Sequence, residues 1–509
     1  MKERSKQMKY ESTRGSKDFK SSTEAIIRGL AEDKGLYVPR VIPPLPIDIE
    51  EMKGMPYRQI AYEIIHAYFD EYTDEEMKAC IDGAYDSKFE APEVAPLKKA
   101  GGAYFLELYH GKTAAFKDMA LSILPYLMTT ACRKEGEKNK ICILTATSGD
   151  TGKAALEGFA DVDGTEIIVF YPENGVSRVQ ERQMVSQEGA NTHVVAIKGN
   201  FDDAQTGVKK IFADETIKEK LAAEGIKLSS ANSINIGRLV PQVAYYVYSY
   251  VRLLEEGTLK KGDAINIVVP TGNFGNILAA YLAGKMGIPV GKLICASNEN
   301  KVLTDFIRTG IYDARREFHL TSSPSMDILI SSNLERLLYL LSDRDGQAVN
   351  RWMSDLEEKK VYEVSGDVKE KMKDFYGGFC TEEETEATIA KLWNEDKYLT
   401  DTHTAVAYKV YRDYVEETGD DRPAVIASTA SAYKFAQSVA KACGLDESEV
   451  GRMVKTDKEV TGFDYVKALA KLTGVKVPSG LADLENKPVL HNKVCERDEM
   501  ADVVLEVLK

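Results

Sequence analysis

Lys117 stands in the stretch "YHGKTAAFKDMALSILPYL" (residues 109–127), after Ala-Ala-Phe and before an aspartate and a mostly apolar run. A lysine at the mouth of so apolar a helix has two uses. It can snorkel, laying its methylenes on apolar neighbours while the ammonium stays wet. Or its amine can be held out of water, neutral and nucleophilic. The stretch alone does not choose between them, because most helical lysines only solvate a surface.

Three further stretches pair an apolar strand with a loop rich in glycine or hydroxyls. In "ICILTATSGDTGKAALEGFA", Thr147, Ser148, Gly149, Asp150, Thr151 and Gly152 join a strand to a helix. Such a loop is either a bare turn or a receptor for a carboxylate or phosphate. A nucleotide-binding P-loop does not fit, since Thr147 stands where its first glycine belongs and Ala154 where its magnesium-binding hydroxyl belongs. In "AINIVVPTGNFGNILAAYLAGKMG", Gly272, Asn273, Phe274, Gly275 and Asn276 open a helix whose N-terminus suits a phosphate dianion. The order is not G-x-G-x-x-G, which disfavours a dinucleotide. In "PAVIASTASAYKFAQSVAKA", Ser428, Thr429 and Ser431 follow a buried strand, and hydroxyls there are often only helix caps. A lysine in an apolar setting, a phosphate cup and a hydroxyl-lined strand exit together describe a pyridoxal phosphate (PLP) site.

The elements that position these residues read as an α/β protein. From Ile141 onward, short β-rich runs ("ICILTA", "EIIVFYP", "HVVAIKG", "AINIVVP", "KLICAS", "PAVIAS") alternate with helical periods, which implies parallel strands. Ligands of such sheets sit at the carboxyl ends of strands. Residues 1–95 mix amphipathic helices with a proline-rich turn and form a separate lobe, while about 341–398 is charged and reads as a peripheral helical insertion. At 509 residues the chain has room for about three domains. A net charge of −14 argues against nucleic acid or an anionic membrane as partner, so an anionic substrate needs a local cluster of donors. Seven dispersed cysteines without a C-x-x-C pair, and six histidines without ligand spacing, indicate reduced thiols in a cytoplasmic protein and no metal site. No signal peptide or membrane span is expected.

The motifs "HGKTAAFKDMA", "TATSGDTGKAAL", "SANSINIGRLVPQ", "PTGNFGNILAA" and "DTHTAVAYKV" resemble, in this order, those of threonine synthases of the long microbial and fungal branch. The resemblance implies a fold-type II PLP architecture, two open α/β domains with the cofactor between them. The small domain would be 141–235, and the large PLP-binding domain 96–140 with 236–509. It implies conversion of the small-molecule substrate O-phospho-L-homoserine and water to L-threonine and phosphate, by a monomer or homodimer. It makes Lys117 the catalytic Schiff-base lysine. Gly272, Asn273, Phe274, Gly275 and Asn276 hold the cofactor phosphate, Thr429 meets the pyridine nitrogen, and Asp150, an Asn in the short branch, stands at the ring edge. Thr147, Ser148, Gly149 and Thr151 fall to the substrate. A second phosphate needs a second anion site, for which Lys112, Asn232, Ser233, Asn235 and Arg238 are candidates. The alternatives are a PLP-dependent phospho-lyase or serine/threonine dehydratase of the same fold, or a catalytically silent ligand sensor.

Overall fold

The computed structural model describes residues 7–147, 149–456 and 458–508. Two sheets position the site. One has five strands in the spatial order Lys493–Glu496, Thr192–Lys198, Thr165–Pro172, Lys140–Ala146 and Ile226–Ser229, all paired parallel. The other has six, in the order Phe375–Phe379, Val290–Ser297, Ile265–Pro270, Ala424–Ser428, Ala103–Glu107 and Leu97–Ala100, parallel except for the last pair. Every residue of Ile265–Pro270 and of Ala424–Ser428 is buried, as strands covered by helices on both faces must be. The six runs read as strands from the sequence all lie in these two sheets.

The helix Ile236–Glu255 buries every residue except Arg252 and Glu255, and it packs against both Gly275–Met286 and Tyr57–Tyr68. Tyr245 to Tyr250 are therefore core. The N-terminal lobe is locked on by Arg336, a fully buried guanidinium that donates to the carbonyls of Tyr37 and Ile234 and to the side chain of Asn333. Among the described residues no helix is long and apolar enough to cross a membrane.

Two boundaries differ from the sequence reading. The division that assigns all of 236–509 to the large domain does not hold at its far end. Lys493–Glu496 adds an edge strand to the sheet of the 141–235 segment, pairing with Thr192–Lys198. Four residues, half of them charged, carry too little apolar signal to show this in advance. Nor is 341–398 a purely peripheral helical insertion, because Phe375–Phe379 within it pairs with Val290–Ser297 as an edge strand of the six-stranded sheet. "FYGGF" is short and glycine-rich, and the charged helices around it dominate the local pattern.

Candidate active site

Beyond the strand Ala103–Glu107 the chain runs along the exit of Ala424–Ser428. Leu108 N donates to Ser428 O at 2.9 Å, Phe116 N donates to Thr429 O at 2.8 Å, and Ala115 bridges Ala430. The turn between them is pinned by Asp118, whose carboxylate accepts from Thr113 N at 2.8 Å and from Thr113 Oγ1 at 2.6 Å. Gly111 is required there, since a Cβ would lie 2.4 Å from Asp118 Oδ2. Lys117 is thereby turned inward. Its side chain is 12% exposed, with Nζ 3.1 Å from Ser325 Oγ and 3.7 Å from Asp150 Oδ2. Burial pushes its pKa down, and the charges of Lys434 and Arg238 act the same way against Asp150 and Asp118. The lysine does not snorkel.

Asp150 begins the helix Asp150–Phe159, and Gly149 before it has φ 134°, where a Cβ would also strike the Gln180 amide. The carboxylate lies between two lysines. Its Oδ1 accepts from Lys434 Nζ at 2.8 Å and from Gln180 Nε2 at 2.9 Å, while Oδ2 faces Lys117. Burial would raise its pKa, but Lys434 and Lys117 outweigh it and hold the carboxyl well below the usual range. Thr147 is buried, and its Oγ1 accepts from Gly149 N and Gly152 N at 3.0 and 2.9 Å, which makes it a cap within its own loop. Thr151 is half-buried, and Ser148 lies outside the described residues.

The Gly272–Asn276 loop is a cradle closed by backbone. A Cβ on Gly272 would lie 2.5 Å from Ser325 O, and Phe274 takes a left-handed conformation (φ 63°) ahead of the helix Gly275–Met286. That helix has no side-chain cap, so its first N–H groups remain for a ligand. Asn333 holds the loop from outside, its N and Nδ2 both donating to Asn273 O, and Ser331 Oγ donates to Gly272 O. Asn276 Oδ1 accepts from the hydroxyls of Tyr245 and Tyr246, whereas its Nδ2 is buried without a partner. A Cβ on Gly275 meets nothing closer than 3.5 Å, so this glycine is not imposed by the protein's own packing.

The remaining expected residues separate. Thr429 is buried beside the lysine loop through the Phe116 contact. Arg238 is 4% exposed, donates from Nη1 to Ala231 O at 2.9 Å, and leaves Nε without a partner. No carboxylate among the described residues pairs with it, and burial lowers its pKa to about 10. Asn235 is committed to structure: its Oδ1 caps the helix through Gly237 N at 2.8 Å and its Nδ2 donates to Ile26 O at 2.9 Å. Asn232 and Lys112 are exposed and Ser233 is half-buried.

Sequence reasoning missed three participants: Ser325, Gln180 and Lys434. Ser325 comes from a loop about fifty residues beyond the cup and carries no local signal. Its N donates to His403 Nε2 at 3.2 Å, and His403 Nδ1 donates to the fully buried Asp401 at 2.9 Å, which fixes the tautomer. Gln180 looks like a helix-capping residue and is one, through Ser177 N, while also reaching Asp150. Lys434 was detectable. "SAYKFAQSVAKA" places a lysine in an apolar helix start, the same oddity that marks Lys117.

A largely buried lysine of lowered pKa beside a glycine cradle and an uncapped helix start fits the PLP-dependent class, and residues 89–429 match the family model "Pyridoxal-phosphate dependent enzyme". Residues 9–85 and 404–501 match "Threonine synthase N terminus" and "Threonine synthase, C-terminal". The threonine synthase of Schizosaccharomyces pombe is 36% identical over 467 residues, covering 86% of this chain and 89% of that one. Human Threonine synthase-like 1 is 40% identical over 438 residues, and the chain spans 58% of that longer protein's length against 84% of its own. The crystal structure of PLP-bound threonine synthase from Brucella melitensis superposes with a TM-score of 0.86 at 35% identity, covering 98% of both chains. The chain belongs to the threonine synthase family of PLP-dependent enzymes.

Proposed function

We propose that this enzyme converts O-phospho-L-homoserine and water to L-threonine and inorganic phosphate. The observation that carries this reading is Arg238, a buried guanidinium with no carboxylate partner among the described residues, whose charge bears on Lys117. A cation so buried is costly unless an anion joins it. The phosphate of the substrate supplies one, and a dehydratase of the same fold has no second phosphate to bind.

The roles follow from the geometry. The first N–H groups of Gly275–Met286 and the cradle at Gly272 suit the cofactor phosphate, and Lys117 suits covalent attachment. The bound PLP supplies an electron sink that makes the substrate carbons acidic. A lysine of lowered pKa can then take and return protons at Cα, Cβ and Cγ, while Arg238 holds the γ-phosphate until it leaves. Water added at Cβ completes threonine. Thr429 offers the pyridine nitrogen a hydroxyl in place of a carboxylate, which restrains the sink and favours β,γ-chemistry. Of the expected substrate residues we retain Gly149, Thr151, Ser233 and Arg238; Thr147 and Asn235 act as loop and helix caps. Seven free cysteines, all but Cys443 buried, suit a reducing cytoplasm.

The test is an incubation with O-phospho-L-homoserine, following phosphate, threonine and 2-oxobutanoate together. Equal phosphate and threonine are expected. Phosphate with 2-oxobutanoate instead makes the enzyme a phospho-lyase, and no phosphate release at all overturns the reading.

A further inference from the structure

Lys434 has no part in the function outlined above, yet it is a deeply buried cation close to Lys117. Its side chain is 0% exposed and lies in the turn Ala432–Phe435, just beyond Thr429. Nζ donates to Asp150 Oδ1 at 2.8 Å and to Thr113 O at 2.9 Å. It therefore ties together three segments: its own strand exit, the turn that aims Lys117, and the start of the Asp150 helix.

We propose that Lys434 is a positioning residue of the active site, which holds Asp150 against Lys117 and takes up most of that carboxylate's charge so that the Lys117 amine can lose its proton. The inference rests on Lys117 being the cofactor lysine. The contacts show the division of charge: Asp150 is at hydrogen-bonding distance from Lys434 and 3.7 Å from Lys117. The charged groups bearing on Lys117 are Asp150, Lys434, Arg238 and Asp118, and Asp118 is already bonded to Thr113. Without Lys434, Asp150 keeps a single cationic partner within reach, which is Lys117 itself. A carboxylate paired to one ammonium favours its charged form. The attacking amine would then become available only at higher pH. Gln180 also donates to Asp150 Oδ1, so loss of Lys434 removes one of the two donors that hold the carboxylate and the only charged one on that oxygen.

The experiment adds PLP to full-length protein stripped of cofactor and follows growth of the visible absorption band against pH. This readout does not depend on turnover. In Lys434→Met the midpoint of the pH profile should rise by about one unit or more. Asp150→Asn should lower it, and the Asp150→Asn/Lys434→Met double variant should return to within about half a unit of wild type, because the two charges cancel. An unmoved profile in Lys434→Met with wild-type circular dichroism overturns the proposal. So does a double variant no nearer to wild type than either single one. If Lys434→Met does not fold, the double variant, which leaves no unpaired buried charge of this pair, decides alone: its midpoint must lie about one unit above that of Asp150→Asn. Borohydride fixation followed by peptide mapping accompanies each measurement. A label away from Lys117 refutes the underlying assignment and the inference with it, whereas a label on Lys117 with an unmoved profile refutes only the part given to Lys434.

Discussion

Replacing Gly272 with alanine places a methyl group 2.5 Å from the carbonyl oxygen of Ser325. Reaching ordinary contact requires the two segments to part by roughly 0.9 Å. The Ser325 segment is not free to retreat. Its N–H is held by His403, Asp327 accepts from Thr321 and Asn298 just beyond it, and Ser322 N is bound by Glu382. Overpacking of this kind costs about 1–3 kcal/mol. The strain falls on the contact that closes the cradle and brings Ser325 Oγ to Lys117, so we expect it in cofactor affinity. One to three kcal/mol corresponds to roughly a 5- to 150-fold rise in the Kd for PLP. The assay is titration of cofactor-free protein with PLP by visible absorbance, beside thermal melts of the same samples. Gly366→Ala is the control: nothing lies within 4 Å of the added Cβ, and a change within about 0.5 kcal/mol is expected. Wild-type affinity and wild-type melting for Gly272→Ala would show that the loops part without consequence and would refute the cradle argument.

Lys117→Ala should abolish turnover and the borohydride-fixed label; activity persisting at wild-type level would remove Lys117 from the chemistry. Arg238→Ala should raise KM for O-phospho-L-homoserine by about 1.5–3 kcal/mol, roughly 10- to 150-fold, while leaving PLP retention unchanged. Lost PLP with unchanged KM would reverse the allocation of the two phosphates. Thr429→Asp should lower threonine output and raise the share of keto acid, because a carboxylate favours a protonated pyridine nitrogen. Thr429→Ser, which keeps the hydroxyl, should be mild, and unchanged rate and product ratio in the Asp variant would reduce Thr429 to a structural role.

Much of the candidate site was legible because its pattern is local. An uncapped helix start after "PTGNFG" and a lysine ahead of an apolar run depend on neighbours only a few residues away. The sorting of hydroxyls and amides was not legible in this way. Thr147 and Asn235 have the right types for ligands, but both spend their side-chain oxygens on nearby main-chain N–H groups, and whether a polar side chain caps or binds depends on where its loop turns. The short strands Phe375–Phe379 and Lys493–Glu496 were hidden for a related reason: an edge strand draws its stability from its neighbour in the sheet, and its own composition carries little of the signal.

The sequence by itself determined that this is an α/β protein with a lysine ahead of an apolar run, a glycine-rich helix start and the motif order of a threonine synthase. Those properties reside in continuous stretches whose spacing is fixed by covalent geometry. Only the tertiary structure decided the charge state around the lysine. Asp150, Arg238, Ser325 and Lys434 come from four separate segments, and their influence on Lys117 varies with distance and burial, neither of which a linear chain encodes at any one position.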